Sequence, residues 1–366
     1  MAQEKESDGM KNFYSDKKIL IAGGAGLIGQ ALIRALVPTG AHITATEFHQ
    51  RKIDPAWRGS IDVVSGIDLN RPKWAPNDYW AEVLKRTNIY QGFDIVFWAA
   101  AMVGGAKMIR ESPMALVHYN LELAARNIQA AVEAGVGRFC YVSSSYVYPQ
   151  LFDVGGSQEW DTNKADVPLE HYGLGWIKRF IEKLCRAHQL TSGTRFALVR
   201  PAAIYGPHDN FDLESCHVVP ALIRKVAEKR NPLEIWGDGS ELRQWTYVDD
   251  LAEGLLRATE HYAIAEPVNI ATPRVSSVNG VWQALFQIEK LERDIFDPLK
   301  MVSLHTPREN LRSVVYRGDK PQAISERVVN VNRCKKFLSY ECQTTLRDGL
   351  EKTLAWYRES VRDGKS

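Results

Sequence analysis

The stretch from Lys17 to Gly29 constrains this chain more than any other. An apolar run, Ile19 to Ala22, has the length and content of a buried strand. It breaks into Gly23, Gly24, Gly26 and Gly29, and an apolar helical pattern begins at Leu27, Ile28, Leu32, Ile33 and Leu36. Strand, glycine turn and helix in that order bring backbone N–H groups and a helix N-terminus to one point, where a pyrophosphate can be held. The spacing is G-x-x-G-x-x-G rather than G-x-G-x-x-G, and a glycine cluster alone also suits an ordinary strand–helix turn. The acid that completes the pattern roughly 20 residues on is Glu47, which ends the strand-like run His42 to Thr46. A carboxylate there accepts ribose hydroxyls of NAD and repels the 2′-phosphate of NADP. Arg51 and Lys52 follow closely and weaken that preference. The expectation is a nucleotide site with Gly23, Gly26, Leu27 and Ile28 at the pyrophosphate, Glu47 at the ribose and NAD as cofactor.

A third strand is expected at Ile61 to Val64, with Asp68 and Leu69 after it either flanking an adenine or forming a solvated loop. A helical stretch lies near Trp80 to Arg86. Phe93 to Ala101 reads as a fourth strand, and the small Ala99 and Ala101 at its end let a dinucleotide lie close. A helix over Met114 to Ala134 contains Asn120, read as a satisfied buried amide, and Arg138 to Ser143 is the fifth strand. Strands alternating with helices specify an α/β fold with a doubly wound parallel (Rossmann) sheet, whose ligands bind at the strands' carboxyl ends.

Farther on, helices are expected over Tyr172–His188, Val218–Lys229, Asp250–His261 with Asp249 as cap, Ser277–Leu291 and Leu346–Val361. Strands are expected over Phe196–Pro201, Leu233–Gly239 and Pro267–Ala271, and a turn-rich loop over Ala203–Asn210. No linker separates the halves. The predicted organisation is therefore a dinucleotide-binding domain of residues 17–204 plus 240–274, a second, smaller substrate-binding lobe of 205–239 plus 275–362, and a flexible tail of 1–16.

Composition excludes several classes. A net charge of +2 across 366 residues gives no case for nucleic acid or an acidic membrane surface. The longest apolar run, 95–106, is too short to span a bilayer, and the first residues lack the apolar core of a signal peptide. The 5 cysteines form no C-x-x-C pair and no metal spacing, and their odd number argues against a disulfide framework. A cytoplasmic protein without a metal site is expected.

Several further motifs stand in order. They are Ala99-Ala-Ala-Met-Val-Gly-Gly105, Ser143-Ser-Ser-Tyr-Val-Tyr-Pro149, Gly206-Pro-His-Asp-Asn-Phe211, Cys216-His-Val-Val-Pro220, Trp236-Gly-Asp-Gly-Ser-Glu-Leu-Arg243 and Tyr247-Val-Asp-Asp250. With the glycine turn, they make residues 17 to 360 resemble the extended short-chain dehydrogenase/reductase family, in its nucleotide-sugar epimerase/dehydratase branch. Within it the chain is similar to the GDP-L-fucose synthases and GDP-mannose 3,5-epimerases. The resemblance implies NAD as hydride acceptor at a sugar carbon, a nucleotide-diphosphate sugar as substrate, here GDP-linked, and a homodimer formed through the helices Met114–Ala134 and Tyr172–His188.

It also implies roles for single residues. Ser144 is the hydroxyl residue and Lys178 the lysine that holds the nicotinamide ribose. His217 matches the histidine of an acid/base pair whose other position is occupied here by Tyr146. Arg243 is placed for the pyrophosphate, which a guanidinium can bind through two oxygens. Val103, Ser145, Asn210, Lys225 and Trp236 line the nucleotide-sugar pocket, and Arg200 has a structural task at its strand end.

One position departs from the family pattern. The usual base is a Tyr four residues before the lysine, where a nearby cation lowers a phenol that otherwise titrates near ~10. Here Leu174 occupies that place. Either Tyr172 takes over through a shifted turn, or another group such as Tyr146 or His171 serves, or the usual alcohol oxidation does not occur. The leading expectation is an atypical GDP-sugar epimerase or isomerase. The alternatives are a redox-neutral isomerase such as a pyranose/furanose mutase, and a non-catalytic nucleotide-sugar-binding protein.

Overall fold

The computed structural model describes residues 12–48, 51–66, 69, 89–102, 113–150, 155–293, 311–320 and 324–363. Asp68, Val103 and the helical stretch near Trp80 lie outside them. The centre is a seven-stranded sheet, every neighbouring pair of which is parallel. Its strands are β1 (Lys18–Ala22), β2 (His42–Glu47), β3 (Asp62–Ser65), β4 (Ile95–Trp98), β5 (Arg138–Val142), β6 (Arg195–Pro201) and β11 (Pro267–Ile270), in the order β3-β2-β1-β4-β5-β6-β11. The winding direction reverses between β1 and β4, which opens a crevice there at the carboxyl ends.

Alternation along each strand sends side chains to two different helix layers. Ile19 and Ile21 of β1 pack under α1 (Leu27–Leu36) and α5 (Val248–His261), among Leu32, Leu36, Leu251 and Leu255. Leu20 and Ala22 face α2 (Pro113–Glu133) and α3 (Tyr172–Thr191), among Leu123, Ile128, Ile177 and Ile181. Burial on both faces explains why the strands read as unbroken apolar runs. Asn120 on α2 is satisfied: it accepts from the Met102 N–H at 2.9 Å and donates to the Met102 and Leu116 carbonyls.

The second lobe packs α4 (Val218–Ala227), α6 (Val278–Glu289) and α8 (Leu346–Arg362) around Leu222, Ile223, Val281, Leu285 and Leu354. Beside them are two small sheets. β8 (Leu233–Trp236) pairs with β15 (Val314–Arg317), and β9 (Leu242–Arg243) lies between β12 (Ser276–Ser277) and β16 (Glu326–Arg327).

Four expectations are corrected. Part of the supposed tail is core: Tyr14 is fully buried and its hydroxyl donates to the Leu256 carbonyl at 2.6 Å. The loop at Ala203 begins as β7 (Ala203–Tyr205), paired with β10 (Trp245–Tyr247). Tyr247, not Asp249, caps α5; Asp249 sits inside its first turn and pairs with Arg34 at 2.5 Å. Helix α7 (Asn332–Leu338) falls within the boundaries drawn for the second lobe, yet Cys334 and Leu338 pack into the first core beside Leu256 and Ile270.

Candidate active site

The glycine turn is built to let backbones touch. Gly23 has φ +87°, and a Cβ there would lie 2.8 Å from the Ala100 nitrogen, across the switch point. A Cβ on Gly29 would lie 2.2 Å from the Gly23 carbonyl. The turn is pinned to β2: the Gly23 N–H donates to Thr46 Oγ1 and the Gly24 N–H to the Thr46 carbonyl, each at 2.9 Å. Gly26 caps α1 without a side-chain bond, and no acid occupies the first turn, where Leu27 and Ile28 are half-buried. First-turn N–H groups have no intrahelical acceptor, so this end fits a pyrophosphate. Ala99 and Ala101 follow β4, and the Leu69 carbonyl accepts from Asn127 of α2 at 3.0 Å.

Glu47 is buried and fully bonded. It accepts from Ser65 Oγ at 2.7 Å, Lys52 Nζ at 3.2 Å, Arg58 Nη2 at 2.6 Å and the Ile53 N–H at 3.1 Å. Burial alone would raise its pKa, but these bonds outweigh it and hold the carboxyl at about 2. Of the two cations the sequence sets near it, Arg51 and Lys52, only Lys52 is among its partners; the second is Arg58.

A second constellation forms where β5 ends. Ser144 Oγ accepts from the Tyr146 N–H at 3.1 Å and caps a 3-10 turn over Ser145–Val147. Helix α3 presses on that turn because residue 175 is glycine: a Cβ there would lie 2.4 Å from the Tyr146 carbonyl oxygen. With no phenol at position 174, Lys178 Nζ donates to the Val142 carbonyl at 2.8 Å and lies 4.8 Å over the Tyr141 ring. Burial lowers its pKa to about 8. Beneath them Arg200 holds Glu182 at 2.8 and 2.5 Å, and Ser143 Oγ donates to the same carboxylate at 2.5 Å.

Tyr146 packs against two side chains that also approach each other. The His171 ring centre lies 4.7 Å from its own, and the Arg327 guanidinium lies 4.1 Å over it. Arg327 stands opposite Arg243 in the β9–β16 register. Arg243 is buried and donates to the carbonyls of Leu242 at 2.7 Å and Ile324 at 2.5 Å, its pKa lowered to about 10 by burial and then by Arg327. A small cleft opens beside this group, lined in part by Ser145, Tyr148, Gly156 and Arg327.

The remaining second-lobe candidates gather elsewhere. His217 caps α4 and is exposed, Lys225 Nζ donates to the Glu234 carbonyl at 2.9 Å, Asn210 Nδ2 donates to Ser215 Oγ at 2.9 Å, and Trp236 ends β8 half-exposed. Arg327 was not found from sequence, because a single arginine on a two-residue strand carries no local signal. Among the described residues, no group of three His, Cys, Asp or Glu is placed to hold a metal, and no helix is long and apolar enough to cross a membrane.

The parallel sheet, its crevice at the switch point and the glycine turn at its edge have the form of a dinucleotide-binding fold. Residues 19–271 match the model of the NAD dependent epimerase/dehydratase family. The chain belongs to that family, as an extended short-chain dehydrogenase/reductase of the nucleotide-sugar epimerase/reductase type with NAD as cofactor. It is 26% identical over 371 residues to a probable GDP-L-fucose synthase 1 of Oryza sativa subsp. japonica, covering 98% of each chain. It is 27% identical over 352 residues to GDP-mannose 3,5-epimerase 1 of the same plant, covering 95% of this chain and 84% of that one. Its fold matches UDP-glucose 4-epimerase of Thermotoga maritima with a TM-score of 0.75 at 21% identity, over 94% of this chain and 99% of that one.

Proposed function

We propose that this enzyme is a GDP-sugar epimerase or isomerase in which Tyr146 replaces the missing phenol at position 174 as the acid/base group. One observation carries the reading: the Tyr146 ring meets both Arg327 and His171, which also approach each other, two residues from Ser144 and next to Ser145 and Arg327 of the cleft wall. NAD, when bound, accepts a hydride from a sugar carbon. The glycine turn and the α1 N-terminus bind its pyrophosphate, and Lys178 orients the nicotinamide ribose. Ser144 bonds the reacting sugar hydroxyl. Arg243 and Arg327 attract the sugar nucleotide's diphosphate, which two adjacent guanidiniums favour. The GDP preference is supported by the relatives, whose names are those of enzymes acting on GDP-sugars.

Leu174 also favours a second reading, a redox-neutral isomerase on the same scaffold. An exposed stripe on α3, formed by Tyr172, Trp176 and Phe180, supports a homodimer, and the five free cysteines suit the cytoplasm.

The test offers GDP-, UDP- and dTDP-sugars to the purified enzyme and follows products by NMR, with NAD present and with NAD removed. Conversion of a GDP-sugar that needs NAD and falls about 100-fold in Tyr146→Phe supports the reading. Conversion without NAD supports the redox-neutral one. Tight binding without any product rejects both and leaves a binding protein.

A further inference from the structure

We infer that His171 is a neutral hydrogen-bond donor to an oxygen of the bound sugar, with Arg327 fixing its tautomer. The inference rests on the reading that the cleft holds a nucleotide sugar.

His171 occupies the N-cap position of α3, yet its side chain makes no cap bond to the helix. The residue is 5% exposed, and its Nε2 is buried without a hydrogen-bond partner among the described residues. Buried polar atoms are nearly always satisfied, so an orphan on a ring that touches Arg327 of the cleft wall calls for a ligand. The other ring nitrogen faces Arg327: Nδ1 lies 3.5 Å from Nη2. A guanidinium has donors only, so Nδ1 faces it as acceptor and the single ring proton sits on Nε2. Burial, reinforced by Arg327 and then Arg243, lowers the imidazole pKa to about 3, so the ring stays neutral at physiological pH.

The setting selects the acceptor. His171 stands roughly two helical turns before Lys178, on the same stripe as Leu174. Its ring centre lies 4.7 Å from that of Tyr146, the two planes tilted by 36°. Phosphate oxygens are served by the two arginines, which leaves a weakly charged oxygen, a hydroxyl or keto group of the sugar, for a neutral N–H. Such a donor polarises a carbonyl without being consumed as an acid, a role documented for a neutral histidine at a helix N-terminus in another enzyme.

The test compares His171→Phe, which keeps a ring without a donor, with His171→Gln, whose amide N–H approaches the Nε2 position. In the full-length enzyme, His171→Phe is expected to lower kcat/KM about 100-fold, and His171→Gln to restore most of it. If Phe prevents folding, His171→Asn, whose short amide cannot reach the Nε2 position, replaces it. Wild-type kinetics in the loss variant overturn the inference and assign the orphan N–H to a water.

If the wild type converts no sugar nucleotide, the functional reading fails and calorimetry decides instead. GDP-mannose and UDP-glucose are then expected to bind the loss variant about tenfold more weakly, with GDP and UDP unaffected. Equal effects on sugar nucleotide and diphosphate, or no sugar-nucleotide binding by the folded wild type, overturn the inference.

Discussion

The Arg327 guanidinium lies over the Tyr146 ring, its central carbon 4.1 Å from the ring centre. The contact exists because β16 pairs with β9, which also sets Arg327 opposite Arg243. Like charges in adjacent register repel; the π face of Tyr146 against Arg327 and the Leu242 and Ile324 carbonyls around Arg243 offset this. Arg327→Ala is expected to lower kcat/KM about 30-fold, the equivalent of ~2 kcal/mol. Arg327→Lys should restore less than half of the loss, since an ammonium cannot stack as a plane. Steady-state kinetics check this, and an unchanged kcat/KM in Arg327→Ala would remove Arg327 from the site.

Lys178 should set the alkaline limit of activity. Burial holds its pKa at about 8, so the cation proposed to orient the ribose is lost as pH rises through that value. A pH–rate profile is expected to fall with a limb near 8, and Lys178→Arg to carry the limb beyond pH ~10. A limb that stays in place in the arginine variant would assign it to another group.

Glu47 should matter for acid stability. Its folded pKa of about 2 lies below the unfolded value near ~4.3. Its contribution is therefore fully present above the unfolded value and is lost as pH falls toward 2. Glu47→Gln is expected to cost about 2 kcal/mol at pH 7, with the gap to wild type closing below pH ~4. Denaturant melts at several pH values measure the gap, and a pH-independent gap would refute the charge argument.

Gly23→Ala joins a left-handed φ of +87° to a Cβ at 2.8 Å from the Ala100 nitrogen. Both costs fall on the turn that cradles the cofactor. A stability loss of roughly 1–3 kcal/mol and at least about tenfold weaker NAD binding are expected by calorimetry. Unaltered NAD affinity would place the pyrophosphate elsewhere.

The stripe of Tyr172, Trp176 and Phe180 should be an interface. Phe180→Glu introduces a charge where an apolar contact is proposed and is expected to turn a dimer into a monomer in light scattering, with the thermal midpoint of the separated chain reduced. A wild-type monomer at micromolar concentration would rule the dimer out.

Much of the fold was legible because its signals are local. Apolar runs, glycines and helical spacing placed all seven strands of the central sheet and most of its helices within a few residues. What remained hidden depends on contacts distant in sequence. Tyr14 looked like tail because one aromatic in a polar stretch has no period; only the groove beside Leu256 buries it. Asp249 looked like a cap because acids favour helix starts, but Arg34 on the neighbouring helix claims its carboxylate.

The sequence by itself determined the parallel sheet, the glycine turn between its first strand and helix, and a leucine at position 174, since each is written in adjacent residues. Only the tertiary structure decided what surrounds Tyr146. Gly175 lets α3 close on the Ser145–Val147 turn, and β16 carries Arg327 in from the far end of the chain. Their convergence on Tyr146 and His171 is a property of packing, with no trace in local spacing.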